Sequence, residues 1–189
     1  MKIVVGLCNP GKEYERTRHN VGRRVVENFR LAAGDVFGGW SKKFRSRISE
    51  GRIGNEKIVL MLPETYMNSS GEAVAEAAAF WKVSPKDILV VGDDLSIPLG
   101  MIRLRASGTS GGHKGLDSII NKLGTEGVPR LRVGIATEKT ILVPAEVFVL
   151  EKFSKEEDRS LEPVLDRAAQ AIEIWISEGS EAAMNRFNG

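Results

Sequence analysis

The chain has 189 residues, 42% of them hydrophobic and 28% charged, enough for one domain with its own core and too apolar for an intrinsically disordered chain. Twenty-seven basic against twenty-five acidic side chains leave a formal charge of +2, which does not by itself announce a nucleic-acid partner. A lone cysteine, Cys8, excludes an intrachain disulfide and a thiolate metal cluster, and no apolar run approaches the roughly 18 residues of a bilayer span, so the expected location is the cytoplasm. The charge is unevenly spread: residues 1–52 carry twelve basic and five acidic side chains, residues 151–189 five and nine.

In chain order, the first predicted strand is Lys2–Gly6, which runs into Gly6-Leu7-Cys8-Asn9-Pro10-Gly11-Lys12-Glu13. This loop imitates a phosphate-binding loop but lacks its chemistry. Pro10 has no N–H, and Glu13 sets a carboxylate where a magnesium-binding hydroxyl belongs, so a nucleotide triphosphatase is disfavoured. Cys8 fits a small buried apolar role better than a nucleophilic one. The chain has two histidines. His19, in Tyr14-Glu15-Arg16-Thr17-Arg18-His19-Asn20, lies among arginines just ahead of a helical pattern over Val21–Ala33. That setting points to proton transfer, with a helix-entry residue as the alternative.

A hairpin-like pair is predicted near Ser46–Ile53 and Lys57–Leu62, then Pro63-Glu64-Thr65-Tyr66-Met67-Asn68-Ser69-Ser70-Gly71 leads into a helix over Ser70–Trp81. Asn9 and Asn68 each offer an amide that can donate to a carbonyl or oxyanion, although Asn68 also suits a helix cap. Strand Ile88–Val91 ends in Gly92-Asp93-Asp94, where one carboxylate can accept a histidine N–H and the other can cap the turn into Leu95-Ser96. Strand Met101–Leu104 carries Arg103 and, just beyond it, Arg105 at alternate positions, hence on one face. Gly108–Gly115 contains His113, which either shapes the turn or joins the chemistry, and helix Gly115–Leu123 follows. Strands Leu131–Ile135 and Glu146–Leu150 and a long helix Lys155–Glu178 complete the chain. Gly108–Gly115 and the charged stretch Glu151–Asp158 are expected to move as gates. The order predicts an α/β fold: one domain over residues 1–189, a twisted mixed β-sheet with helices on both faces.

Several of these segments, in order, carry a family resemblance: Val4-Val5-Gly6-Leu7-Cys8-Asn9-Pro10-Gly11, Thr17-Arg18-His19-Asn20, Thr65-Tyr66-Met67-Asn68, Gly92-Asp93-Asp94-Leu95, Gly111-Gly112-His113 and Met184-Asn185-Arg186-Phe187. Over essentially its whole length the chain resembles bacterial peptidyl-tRNA hydrolase. The resemblance implies hydrolysis of the ester between a peptide, or an N-blocked aminoacyl group, and the tRNA 3′ ribose. This returns free tRNA to translation and rescues ribosomes from stalled chains. It implies catalytic His19, Asp93 and Asn9, with His19 activating water and Asp93 orienting it. It implies substrate or tRNA contacts from Tyr14, Tyr66, Asn68, Arg103, Arg105, His113, Lys114 and Arg132, with no cofactor, no metal, no membrane partner and a monomeric state. Lys114 departs from the Asn common at that place, exchanging an amide that both donates and accepts for a donor alone. The alternative is a non-catalytic RNA-binding relative of the same fold, of the kind that serves as a splicing factor in plant organelles.

Overall fold

Ile3, Val4 and Val5 of strand β1 (Lys2–Gly6) are fully buried although they point alternately to opposite sides, as expected of a parallel strand covered on both faces. In the computed structural model, which describes residues 1–188, β1 lies at the centre of a seven-stranded sheet. It is parallel to β4 (Glu56–Pro63) on one side and β5 (Ile88–Pro98) on the other, and β7 (Arg130–Ala136) continues the parallel run beyond β5. Antiparallel strands finish both sides. These are β3 (Ser46–Ile53) and then β2 (Ser41–Lys43) next to β4, and β6 (Ile102–Arg105) next to β7, giving the order β2-β3-β4-β1-β5-β7-β6.

The two faces build two cores. Val4, Leu60, Leu62, Leu89 and Val91 face α1 (Val21–Ala32), α5 (Lys155–Glu178) and α6 (Ser180–Phe187). Ile3, Val5, Val59, Met61 and Val90 face α2 (Ser70–Trp81) and α3 (Lys114–Leu123). Glycine sets the distance at which α1 lies on the sheet: a Cβ at Gly22 would stand 2.2 Å from the carbonyl oxygen of Val91, so only glycine admits this approach. It draws the segment before α1 against the middle of β5, where Asp93 lies.

The mixed sheet with helices on both faces agrees with the sequence-based expectation, and α2 and α5 have the predicted bounds. One element differs in kind. Glu146–Leu150, expected as a strand, contains instead the helical turn α4 (Ala145–Phe148). An apolar run of four residues does not distinguish strand from helix. Pro144 settles it, because its carbonyl accepts from the Val147 and Phe148 N–H groups and starts a turn that buries Phe148. The β5 strand is longer than Ile88–Val91 and carries Asp93 and Asp94 within it, while β2 and α6 were not predicted.

Candidate active site

His19 sits on a 3-10 turn, Arg18–Asn20, held by backbone on two sides. Its N–H donates to the Val149 carbonyl at 2.8 Å and that of Arg18 to Glu151 at 2.9 Å, while Thr17 bridges to Lys152. Asn20, fully buried, closes the other side: it accepts the Asn9 N–H at 2.8 Å through Oδ1 and donates through Nδ2 to the Asn9 carbonyl at 3.0 Å. The two ends of the connection between β1 and α1 are thereby locked together.

His19 Nδ1 lies 2.8 Å from Asp93 Oδ1, and His113 Nε2 lies 3.0 Å from the same oxygen. Burial alone would raise the Asp93 pKa. The His113 ring beside it and hydrogen bonds from both histidines prevail and hold the carboxyl well below the usual carboxylate range. An ionised carboxylate only accepts, so both rings donate to it. For His19 this places the proton on Nδ1 and the lone pair on Nε2, with about a tenth of the side chain exposed. For His113 the assignment closes from the other end as well, since its Nδ1 accepts from the N–H groups of Gly115 and Leu116 at 3.1 and 3.3 Å and so caps α3. Burial disfavours charge on this ring and the Asp93 carboxylate outweighs it, raising the pKa. A second proton must nevertheless displace two backbone donors from Nδ1. Both nitrogens of His113 are thus used within the protein rather than offered to a ligand.

The donor atoms of His19, Asp93 and His113 lie within 4.8 Å of one another, a separation that a metal ion could bridge. The two short N···O distances, however, are those of hydrogen bonds, to which each ring donates when Asp93 is ionised. A metal would have to expel each proton.

Asn9 Oδ1 accepts the Met67 N–H at 2.8 Å, which fixes the amide so that its NH2 is the end left to donate. A cavity of about 340 Å³ joins Asp93 and His113 to Arg105, Arg132 and the Ser107–Gly111 loop. Asn68 and Lys114, both exposed, line a separate shallow hollow of about 310 Å³ along α3. Arg103 stands on the Arg105 face of β6, opposite Arg132 in the register, whereas half-buried Tyr14 and exposed Tyr66 line neither cavity. Asp94 caps its own turn by accepting from Ser96 N–H and Oγ, and it also pairs with Arg132 at 2.6 Å. Burial pushes the Cys8 thiol up to about 12, and its Sγ lies 3.3 Å from the Pro63 carbonyl oxygen, so it is no nucleophile.

Two residues of this region were missed in the sequence reading. Asn20 is one. The other is Arg130, whose buried guanidinium donates to the carbonyls of Val128, Gly108, Thr109 and Glu126 and so ties down the glycine-rich loop beside the cavity. Starting the strand at Leu131 hid it. The alternation that pairs Arg103 with Arg105 also pairs Arg130 with Arg132.

Comparison with known proteins bears on this geometry. The family model described as peptidyl-tRNA hydrolase matches residues 3–189. The peptidyl-tRNA hydrolase of Desulfitobacterium hafniense is 43% identical over 188 residues, with all of both chains covered. That of Carboxydothermus hydrogenoformans is 45% identical, covering all of this chain and 98% of the relative. The crystal structure of peptidyl-tRNA hydrolase from Acinetobacter baumannii superposes with a TM-score of 0.88 at 32% identity, covering 100% of this chain and 95% of that one. With the match running the length of the sequence and the fold alike, the chain belongs to the peptidyl-tRNA hydrolase family.

Proposed function

We propose the following division of labour for the hydrolysis of peptidyl-tRNA to free peptide and tRNA, the ester cleavage after which this family is named. His19 Nε2 takes a proton from water as the water oxygen attacks the ester carbonyl; Asp93 keeps the ring in the tautomer this requires and stabilises the imidazolium that forms. The Asn9 NH2, aimed by the Met67 N–H, donates to the carbonyl oxygen as it becomes an oxyanion, and Asn68 holds the peptide. When the bond between the carbonyl carbon and the ribose oxygen breaks, imidazolium returns its proton to that oxygen. His113 positions Asp93 from behind. Tyr14 and Tyr66 contact the 3′ end, Lys114 the adjoining substrate, and Arg103, Arg105 and Arg132 the phosphates of the acceptor stem.

The observation that carries this reading is the His19–Asp93 pair: Asp93 lines the cavity, and His19 Nε2 has no hydrogen-bond partner among the described residues. The same pair, with relatives named as hydrolases, weighs against a purely RNA-binding role. The scheme uses no metal or cofactor, and the enzyme acts as a cytoplasmic monomer, where tRNA is charged and consumed. No helix among the described residues is long and apolar enough to cross a membrane. The test is release of tRNA from N-acetyl-aminoacyl-tRNA, with and without chelator. His19→Ala is expected to lose about 10²–10⁴ in kcat, and chelator to change nothing. A variant as fast as wild type removes His19 from this role.

A further inference from the structure

We propose that Asn188 is a positioning residue for tRNA binding: its side-chain amide stands in for a missing neighbour strand and holds β6 where Arg103 and Arg105 can meet phosphate. The inference rests on the phosphate-binding reading of those arginines given above.

Four guanidiniums share one face of the β6–β7 pair. Arg103 lies directly opposite Arg132, and Arg105 opposite Arg130. Like charges facing each other across a ladder push the strands apart. The two on β7 are anchored, Arg132 by Asp94 and Ser96, Arg130 by four backbone carbonyls. Among the described residues, Arg103 and Arg105 have no carboxylate within ion-pair distance. The β6 strand is four residues long and lies at the edge of the sheet, so it has a hydrogen-bonded neighbour on one side alone.

Asn188 closes the open side. The Leu104 N–H donates to Asn188 Oδ1 at 2.7 Å, and Asn188 Nδ2 donates to the Leu104 carbonyl at 2.9 Å. One primary amide thus satisfies both outward backbone groups of the residue between the two arginines, as an adjacent strand would. Alanine makes neither bond, and Asp loses the donor.

Three measurements separate the possibilities. In Asn188→Ala the Leu104 amide is expected to exchange hydrogen at least about tenfold faster, because its acceptor is gone. KM for N-acetyl-aminoacyl-tRNA should rise about five- to tenfold with kcat unchanged, and kcat/KM should fall less steeply with salt, since fewer phosphate contacts are held. Hydrolysis of the N-acetyl-aminoacyl ester of adenosine, which carries no phosphate, should stay at the wild-type rate. Equal losses on both substrates would make Asn188 merely structural and overturn the proposal. An unchanged KM on tRNA would overturn it too, provided Arg105→Ala raises that KM. If Arg105→Ala leaves KM unaltered, the phosphate reading itself fails and takes this inference with it.

Discussion

The oxygen of Asp93 that holds His19 also holds His113, so this carboxylate has a donor on each side and little freedom to turn. His113 in turn is fixed because its other nitrogen caps α3. The orientation of the His19 ring therefore traces back to the first turn of a helix on the opposite face of the sheet. Lys114, beginning that same helix, is exposed and shares the shallow hollow with Asn68, away from the two rings. Lys114→Asn is accordingly expected to change KM severalfold and kcat by less than about twofold in steady-state assays. A large rise in kcat at constant KM would contradict this placement. At this scale the meeting of His19 with Asp93 was legible in the sequence, because there are two histidines in all and a carboxylate next to an apolar strand segment can accept a ring N–H. Asn20 and Arg130 were not. Whether a polar side chain is buried depends on carbonyls and amides brought in from distant segments, which no local pattern displays.

Between elements, Arg18 ties the 3-10 turn that carries His19 to the segment that follows α4. Its guanidinium is buried between the rings of Phe148 and Phe153, at 4.3 and 4.9 Å, and its Nη2 lies 2.9 Å from each oxygen of Glu157. Glu157 also closes the capping box of α5 with Ser154. The Glu151–Asp158 stretch, expected to move as a gate, is thus tied to the residue before His19. Glu157 is only partly buried and keeps its bonds to Ser154, so Arg18→Met should cost about 1–2 kcal/mol in urea unfolding at pH 7. Burial raises the Glu157 pKa, but the Ser154 N–H and Arg18 outweigh it and lower the value. The contribution of Glu157 is therefore complete above the ordinary carboxylate pKa and fades as pH falls through the lowered one. The stability gap between wild type and Glu157→Gln should narrow over that acidic range; a gap independent of pH would show that the charge is not what matters. The start of α5 coincides with a capping box that Ser154 and Glu157 write into the sequence, a local signal that fixes where the helix begins. The α4 turn has no such signal, because four apolar residues carry no period of their own.

For the whole molecule, a net charge of +2 concealed the face that matters, since Arg103, Arg105, Arg130 and Arg132 converge only when β6 pairs with β7. The sequence showed the alternating helices and strands but not which strands become neighbours, and that adjacency creates the patch. It also has a thermodynamic consequence. Opposed guanidiniums weaken the strand pair in the absence of phosphate, by about 0.2–1 kcal/mol per pair. Arg105→Ala should therefore raise the melting temperature of the free protein at low salt, with a gain that shrinks as salt is added, even as it weakens tRNA binding. A melting temperature equal to wild type would mean that the repulsion is already screened. If the gain appears, the arginine face is a place where durability and recognition compete. Selection for thermal hardiness alone would then erode the proposed phosphate-binding surface before it touched His19.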